Sequence, residues 1–358
     1  MELNTEAILM QSNITGPAFL VKDGIITEAN TAAEHRQFTV GTAIEPLIQI
    51  GEEMYRSYTT GKLYLQLAVG ECSYGAYVTK VQDMHLFCLE SDYDNSTLRV
   101  LMLIAQHMRQ PLSNAMLNTE LLQQDPSLQD DPVTKAKLGQ INRALHQLTR
   151  AVGNMSDAAG FSAIRSPQES RDAMTVLNEF LAQLEEYVSR SGRTLAYNKL
   201  RTSVYCLMDE QLLKRALLNL ISNSIQFSPE GSTIKVKLQH SGSTLRITVE
   251  NPSSIDNSPL TADAFQRFLR EPGIEDGRCG IGLGMTLVRQ AVIAHGGTVL
   301  IDRNKKATVK VIMTISTNMK DPLMLRSPLQ LIGGYNGGLD TLLIELSDVL
   351  PDYLYEGF

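Results

Sequence analysis

From residue 97 onward the chain leaves the short alternating segments that precede it and sets its apolar residues three and four apart. That spacing gathers them on one face of an α-helix. Leu98, Leu101, Ala105, Met108, Leu112, Ala115 and Leu122 line a first predicted helix, and DPSLQDDP (125–132) supplies the prolines and aspartates of a reversal. In the second helix Leu138, Ile141, Leu145, Leu148, Val152 and Met155 form an unbroken heptad seam. So narrow a seam makes little core alone. It predicts an antiparallel hairpin that pairs with a second copy into a dimeric four-helix bundle, an intrachain helical pair being the other reading.

The flanking regions follow other periods. AFLV (18–21), a turn at Lys22, Asp23 and Gly24, and IITEAN (25–30) read as a hairpin, since Asp-Gly between apolar runs is a strong turn signal. A helix is predicted over 42–60, then more strands over 61–91. This makes a small α+β unit. Beyond a linker from 167, a helix is predicted at NEFLAQLEEYVSRSG (178–192), with strands near Thr194 and Val204. Leu213, Ala216, Leu217, Leu220, Ile221, Ser224 and Ile225 share one helix face, and TIKVKLQ (233–239) and TLRITVE (244–250) alternate as a half-buried antiparallel pair does. Met285, Val288, Val292 and His295 return to helical spacing, stopped by Gly296 and Gly297 before strand-like TVLIDR (298–303). After residue 316, apolar runs split by Gly333-Gly334 and Gly337-Gly338 predict an extra hairpin docked on the sheet.

Two of these stretches carry candidate chemistry. In GRCGIGLGM (277–285), Gly280, Gly282 and Gly284 free the backbone to approach a ligand, and the helix that follows points unpaired amides and the positive end of its dipole outward. This suits phosphate. The dinucleotide fingerprint is excluded, because no strand leads in and Met285 stands where a glycine is needed. About fifty residues earlier, Asn219 and Asn223 lie four apart and project from one helix face. An asparagine carbonyl is a hard neutral ligand for a magnesium ion bridging nucleotide phosphates; the bland alternative is a polar helix face.

Composition narrows the field. The 358 residues carry a net charge of −7, with a pI of about 5.5, so nucleic acid is not an expected partner. Cys72, Cys88, Cys206 and Cys279 lack paired or metal-ligand spacing, as expected of reduced cytoplasmic thiols, and Cys279 reads as filler in a short loop. His35 and His85 have no partner ligand beside them. No window reaches the ~18 apolar residues of a membrane helix, and MELNTEAILM lacks the basic start of a signal peptide, so the expectation is a cytoplasmic protein without membrane insertion.

NLISNSIQFSP (219–229) and GIGLGM (280–285) resemble the asparagine box and second glycine-rich box of the histidine-kinase ATP-binding domain, a fold shared with DNA gyrase. AFQRFLR, with Phe265 and Phe268, resembles that family's phenylalanine box, and Asp209 stands where the family usually has an aspartate. AQHMRQPLSNAM (105–116) resembles the dimerisation and phosphoacceptor box, usually HExRxPL, with its register fixed by Arg109, Pro111 and Leu112. That register puts Gln106 at the phosphoacceptor position and His107 one place on. An amide nitrogen, its lone pair delocalised, cannot replace imidazole as the nucleophile, and His107 is turned about 100° away along a helix. Where the family has an aspartate that accepts from the adenine amine, this chain has Asn251, in VENPSSID. The N-terminal unit resembles a divergent PAS domain by layout, with Asn30 where that family often has asparagine.

The resemblance implies an α+β multidomain chain: a PAS-like α/β sensor domain at 1–92, a dimerisation hairpin at 97–162, a two-layer α/β sandwich ATP-binding domain at 167–316 and a C-terminal extension at 317–358. It implies a cytosolic sensor kinase of two-component signal transduction that binds ATP with Mg on Asn223, forms a homodimer and passes phosphate to a response regulator. The alternative is a degenerate pseudokinase, a dimeric nucleotide- or ligand-responsive binding module.

Overall fold

The computed structural model describes residues 16–90, 94–129, 131–159, 170–200, 202–253, 283–303, 308–318 and 340–356. At the N-terminus, strands β1 (Ala18–Lys22) and β2 (Ile25–Ala29) form the expected hairpin, with Asp23 and Gly24 both at positive φ in its turn. Asn30 caps the short helix α1 (Thr31–Glu34), accepting from Ala33 N at 2.9 Å and from Ala18 N at 3.1 Å, so one side chain pins the hairpin to the turn after it. The helix expected over 42–60 is broken up. Pro46 sits in a 3₁₀ turn, Glu45–Leu47; β3 (Ile48–Ile50) pairs with a neighbouring strand; and Gly51, at φ +100°, turns the chain into a single short helix, α2 (Glu52–Arg56). Strands β4 (Lys62–Val69), β5 (Cys72–Val81) and β6 (Met84–Leu89) complete a sheet in the order β2-β1-β6-β5-β4 around Phe19, Phe38, Phe87 and their aliphatic neighbours.

Two long helices follow, α3 (Asp94–Gln123) and α5 (Pro132–Ala159), joined through the one-turn α4 (Pro126–Gln129). Pro111 lies inside α3, and helix is assigned without a break on both sides of it. The two helices pack on one another, tied near one end by Arg109, whose Nη2 donates to Ser156 Oγ at 2.7 Å. The heptad seam divides: Leu138 and Val152 are buried, Leu145 and Met155 half-buried, while Ile141 and Leu148 are exposed. Val100, Leu103, Ile104, Met108, Leu117 and Leu121 are exposed on α3.

The next unit is built from β7 (Ser170–Asp172), α6 (Ala173–Arg190), β8 (Thr194–Tyr197), β9 (Tyr205–Leu207), α7 (Glu210–Phe227), β10 (Thr233–Ser241), β11 (Thr244–Pro252), α8 (Gly284–Ala294), β12 (Val299–Arg303) and β13 (Thr308–Ser316). Strands run in the order β12-β13-β11-β10-β8, and β7 pairs separately with β9. Ile234, Val236 and Leu238 of β10 face the helices while Lys235 and Lys237 face water, the alternation expected of a sheet covered on one side. The result is a mixed α/β, two-layer arrangement. It is not a separate sheet: β12 pairs antiparallel with β4, at Val299↔Tyr64, Leu300↔Leu63 and Ile301↔Lys62, so strands from both ends of the chain make one continuous sheet.

The described part of the C-terminal extension is helical. Its α9 (Thr341–Glu345) and a 3₁₀ turn, Asp352–Tyr355, lie against α5 and α7, while the glycine pairs of the expected hairpin lie outside the described residues. Leu343, Leu346, Leu350 and Tyr355 join the main core, and Asp340, not a glycine turn, starts α9 by accepting from Leu342 N at 2.8 Å.

Candidate functional site: the junction of the asparagine helix and the glycine-led helix

Asp209 opens α7 by accepting from Leu212 N at 2.9 Å, which removes one of the unpaired amides every helix start carries. Its own backbone N donates to His295 Nε2 at 3.0 Å, while His295 Nδ1 lies 2.6 Å from Ala291 O. Those two contacts define one tautomer, protonated on Nδ1 and accepting on Nε2. Burial pushes the His295 pKa down, outweighing the opposing hydrogen bond to Ala291. The neutral ring thus fastens the end of α8 to the start of α7.

The junction is closest along the predicted asparagine face. Asn219 is 1% exposed; its Nδ2 donates to Arg215 O at 2.9 Å, and a Cβ on Gly284 would stand 2.9 Å from its Oδ1. A side chain at 284 would therefore make the Asn219 amide shift. Asn223, one turn on, is half-buried and lies against Met285, its Nδ2 3.9 Å from the sulfur, a contact too weak to hold the amide strongly. Among the described residues its carbonyl oxygen makes no hydrogen bond. Among the described residues, α8 begins after Leu283 with no side-chain cap on its first amides. A hard neutral oxygen beside uncapped helix amides fits a phosphate with its cation.

Asn251 is 5% exposed at the end of β11, next to the same helix. Its Oδ1 accepts from Ser224 Oγ at 3.2 Å, and its Nδ2 donates to Ser228 Oγ at 3.1 Å and Pro252 O at 2.9 Å. The amide is thus already engaged on both ends, with one acceptor lone pair to spare. Gly280, Gly282, Phe265, Phe268 and Cys279 lie outside the described residues. Gln106 and His107 are both exposed on α3, next to fully buried Ala105.

Two charged clusters border the junction and went unrecognised in the sequence. Arg215, one turn before Asn219, pairs with Asp157, with Asn154 at 3.3 Å and with Glu345 at 3.1 Å. Arg150 pairs with Asp348 at 2.6 Å and Glu345 at 3.5 Å, and Arg143 with Asp352 at 2.7 Å. The C-terminal segment is thus the clasp between α5 and α7. Its visible signal was Asn142, His146, Arg150 and Asn154, a polar stripe at four-residue spacing beside the heptad seam. The second cluster centres on Arg289, 1% exposed and ion-paired with Glu90. Arg289 follows Met285 by four residues, so a charge on the apolar stripe of α8 was the available signal.

Residues 208–318 match the family of histidine kinase-, DNA gyrase B-, and HSP90-like ATPases. The sensor histidine kinase CusS of Escherichia coli O6:H1 is 36% identical over 106 residues, 29% of this chain and 22% of that protein. The probable sensor kinase SilS of Salmonella typhimurium is 27% identical over 217 residues, 57% of this chain and 42% of that protein. Among solved structures, full-length ShkA in complex with AMPPNP has a TM-score of 0.49 at 18% identity, over 63% of this chain and 47% of that one. The family match makes 208–318 an ATPase-type domain, and together with the sequence relatives it supports the two-component histidine kinase family for this chain. It spans less than half the length of CusS and SilS. Among the described residues no helix is long and apolar enough to cross a membrane.

Proposed function

We propose that this chain is a cytoplasmic sensor-kinase homodimer that binds a magnesium adenine nucleotide between α7 and α8. The observation that carries the reading is the meeting of Asn219 and Asn223 with Gly284 and Met285. Asn223 would hold the metal, and Gly280, Gly282 and Gly284 with the first amides of α8 would take the phosphates, leaving Asn219 to orient the helix pair. Bound magnesium would supply neutralisation of phosphate charge. Asn251 would accept from the adenine amine through its remaining lone pair, a weaker bond than a carboxylate makes. The exposed apolar residues of α3 and α5, with Ile141 and Leu148 at heptad spacing, support a second copy completing a four-helix bundle. The strand order β2-β1-β6-β5-β4, with Asn30 at its corner, supports a PAS-like sensor at 1–92, followed by the hairpin at 97–162, the nucleotide domain at 167–316 and the extension at 317–358.

Phosphoryl transfer needs an acceptor imidazole whose nitrogen lone pair attacks the γ-phosphorus as the bond to ADP breaks. Gln106 has no such lone pair. The acceptor would be His107 or a histidine of another protein, with a response-regulator aspartate next. A second reading, a pseudokinase acting as a nucleotide-responsive module, is favoured by Gln106 in the acceptor register and by the prior engagement of the Asn251 amide. Incubation with labelled ATP and magnesium separates the two. Acid-labile label that His107→Ala abolishes supports the first. No label in wild type or in Gln106→His, with calorimetric nucleotide binding that Asn223→Ala weakens, supports the second; nucleotide affinity unchanged by Asn223→Ala, or none at millimolar ligand, overturns the site itself.

A further inference from the structure

The seam between the N-terminal sheet and the ATPase-type unit is built with unusual specificity. Gly61, at φ +92°, lies where any side chain would overlap the backbone oxygen of Ile301, and a Cβ on Gly51 would stand 2.5 Å from Leu65 and 3.4 Å from Thr298. Thr298 Oγ1 donates to Tyr64 O, and Thr60 Oγ1 to Asp302 Oδ1 at 3.1 Å. The cores interleave as well. Tyr64 and Tyr77 of the N-terminal sheet belong to the core of the ATPase-type unit, while Ile312 of β13 belongs to the N-terminal core.

At the centre of this seam is a charged pair. Arg289 Nη1 donates to Glu90 Oε1 and to the Tyr77 hydroxyl, and its guanidinium lies over the Tyr64 ring at 5.1 Å and the Tyr77 ring at 5.8 Å. Tyr64 donates to Glu90 Oε2 at 3.1 Å and Tyr77 to Glu90 Oε1 at 3.3 Å. Gly75 leaves the room this requires, since a side chain there would overlap both the Tyr64 hydroxyl and the Glu90 carboxylate. Glu90 is also held by its backbone, donating to Gly75 O at 2.9 Å and accepting from Arg36 Nη1 at 2.7 Å. It directly follows Leu89, the last residue of β6, four positions before α3 starts at Asp94, and Arg289 is on the second turn of the glycine-led α8.

We infer that Glu90 and Arg289 form a latch by which the N-terminal unit grips helix α8 directly, a route from sensor to nucleotide site that bypasses the helical hairpin. A buried charge that loses its counter-charge is strongly disfavoured, so the seam has two defined states, latched and parted, rather than a continuum. Anything that moves the end of β6 away from Arg289 also releases β12 from β4 and frees the N-terminal turns of α8. The inference rests on the nucleotide-site reading for its functional meaning, and on the seam alone for its mechanics.

The test is hydrogen exchange on the full chain without nucleotide, comparing wild type with Glu90→Gln and the milder Tyr77→Phe. Latching predicts exchange about tenfold or more faster in both Val299–Ile301 and α8 for Glu90→Gln, a smaller rise in the same segments for Tyr77→Phe, and wild-type rates at the distant β10–β11 pairing. If Glu90→Gln loses protection in β10 and β11 as well, it has unfolded and Tyr77→Phe gives the reading. Wild-type rates in α8 and β12 for the informative variant overturn the latch. A second arm adds magnesium AMPPNP: the latch predicts slower exchange around residue 90 in wild type and no such effect in Glu90→Gln. If AMPPNP changes nothing anywhere in wild type, the nucleotide-site reading fails while the latch stands on the nucleotide-free arm.

Discussion

Glu345→Gln removes the charge at the point where the C-terminal segment, the helical hairpin and the asparagine helix meet. The Glu345 side chain is 5% exposed, between Arg150 at 8% and Arg215 at 21%. Breaking a buried ion pair by neutralising one partner costs about 3–5 kcal/mol when the other charge is stranded. Neither arginine is stranded here, since Arg150 keeps Asp348 at 2.6 Å and Arg215 keeps Asp157 and Asn154. The substituted amide also retains an oxygen for Arg215 Nε. The expected loss is therefore about 2–3 kcal/mol, which for a unit of 150–250 residues lowers Tm by roughly 4–12 °C. Paired urea and thermal unfolding followed by circular dichroism measures it. Glu345→Gln unfolding within about 0.5 kcal/mol of wild type, the behaviour of a surface site, refutes the clasp.

Gly284→Ala forces its new methyl against Asn219 Oδ1, 2.9 Å away; helix propensity offsets part of the strain, so stability changes by about 1 kcal/mol or less while calorimetric affinity for magnesium AMPPNP falls about tenfold. If the proposed four-helix bundle forms, wild type sediments as a dimer and Ile141→Glu with Leu148→Glu as a monomer in analytical ultracentrifugation at micromolar concentration, since both exposed side chains lie at heptad spacing. His295 and His146 both have pKa values lowered mainly by burial, so the unfolded chain binds protons that the folded chain refuses. Their contribution is fully present above the unfolded value of about 6.5 and is lost as pH falls through the folded values; urea midpoints should drop between pH 7.5 and 5.5, with a shallower slope in His295→Gln.

What could be read before folding was whatever depends on neighbours in sequence. The Asp-Gly turn, the β10 and β11 alternation, the buried stripe of α7 and the Asn219–Asn223 pair all follow from local periods of two and 3.6 residues. The helix over 42–60 failed for a local reason that carried insufficient weight: Pro46 and Gly51 punctuate it, and a pairing strand takes Ile48–Ile50 in between. The helical α9 was not anticipated, because Asp340 is marked as a helix cap only by the Leu342 amide it accepts from.

Sequence alone thus gave most of the described elements and pointed to Asn219, Asn223, Gly284 and Met285, which meet at the junction. The reading that puts Gln106 in the acceptor register likewise rests on sequence alone, on its spacing from Arg109 and Pro111. Tertiary structure alone decided how the units are joined. The pairing of β4 with β12 links positions more than two hundred residues apart, as does the Tyr77 hydroxyl's contact with Arg289; the Glu345 clasp spans 130 residues to Arg215. Edge strands carry no sequence mark of which partner they take, because backbone amides and carbonyls are the same in every residue. Buried charges give a hint of being paired but not of the partner, since a carboxylate anywhere in the chain satisfies an arginine equally well until packing brings one within reach.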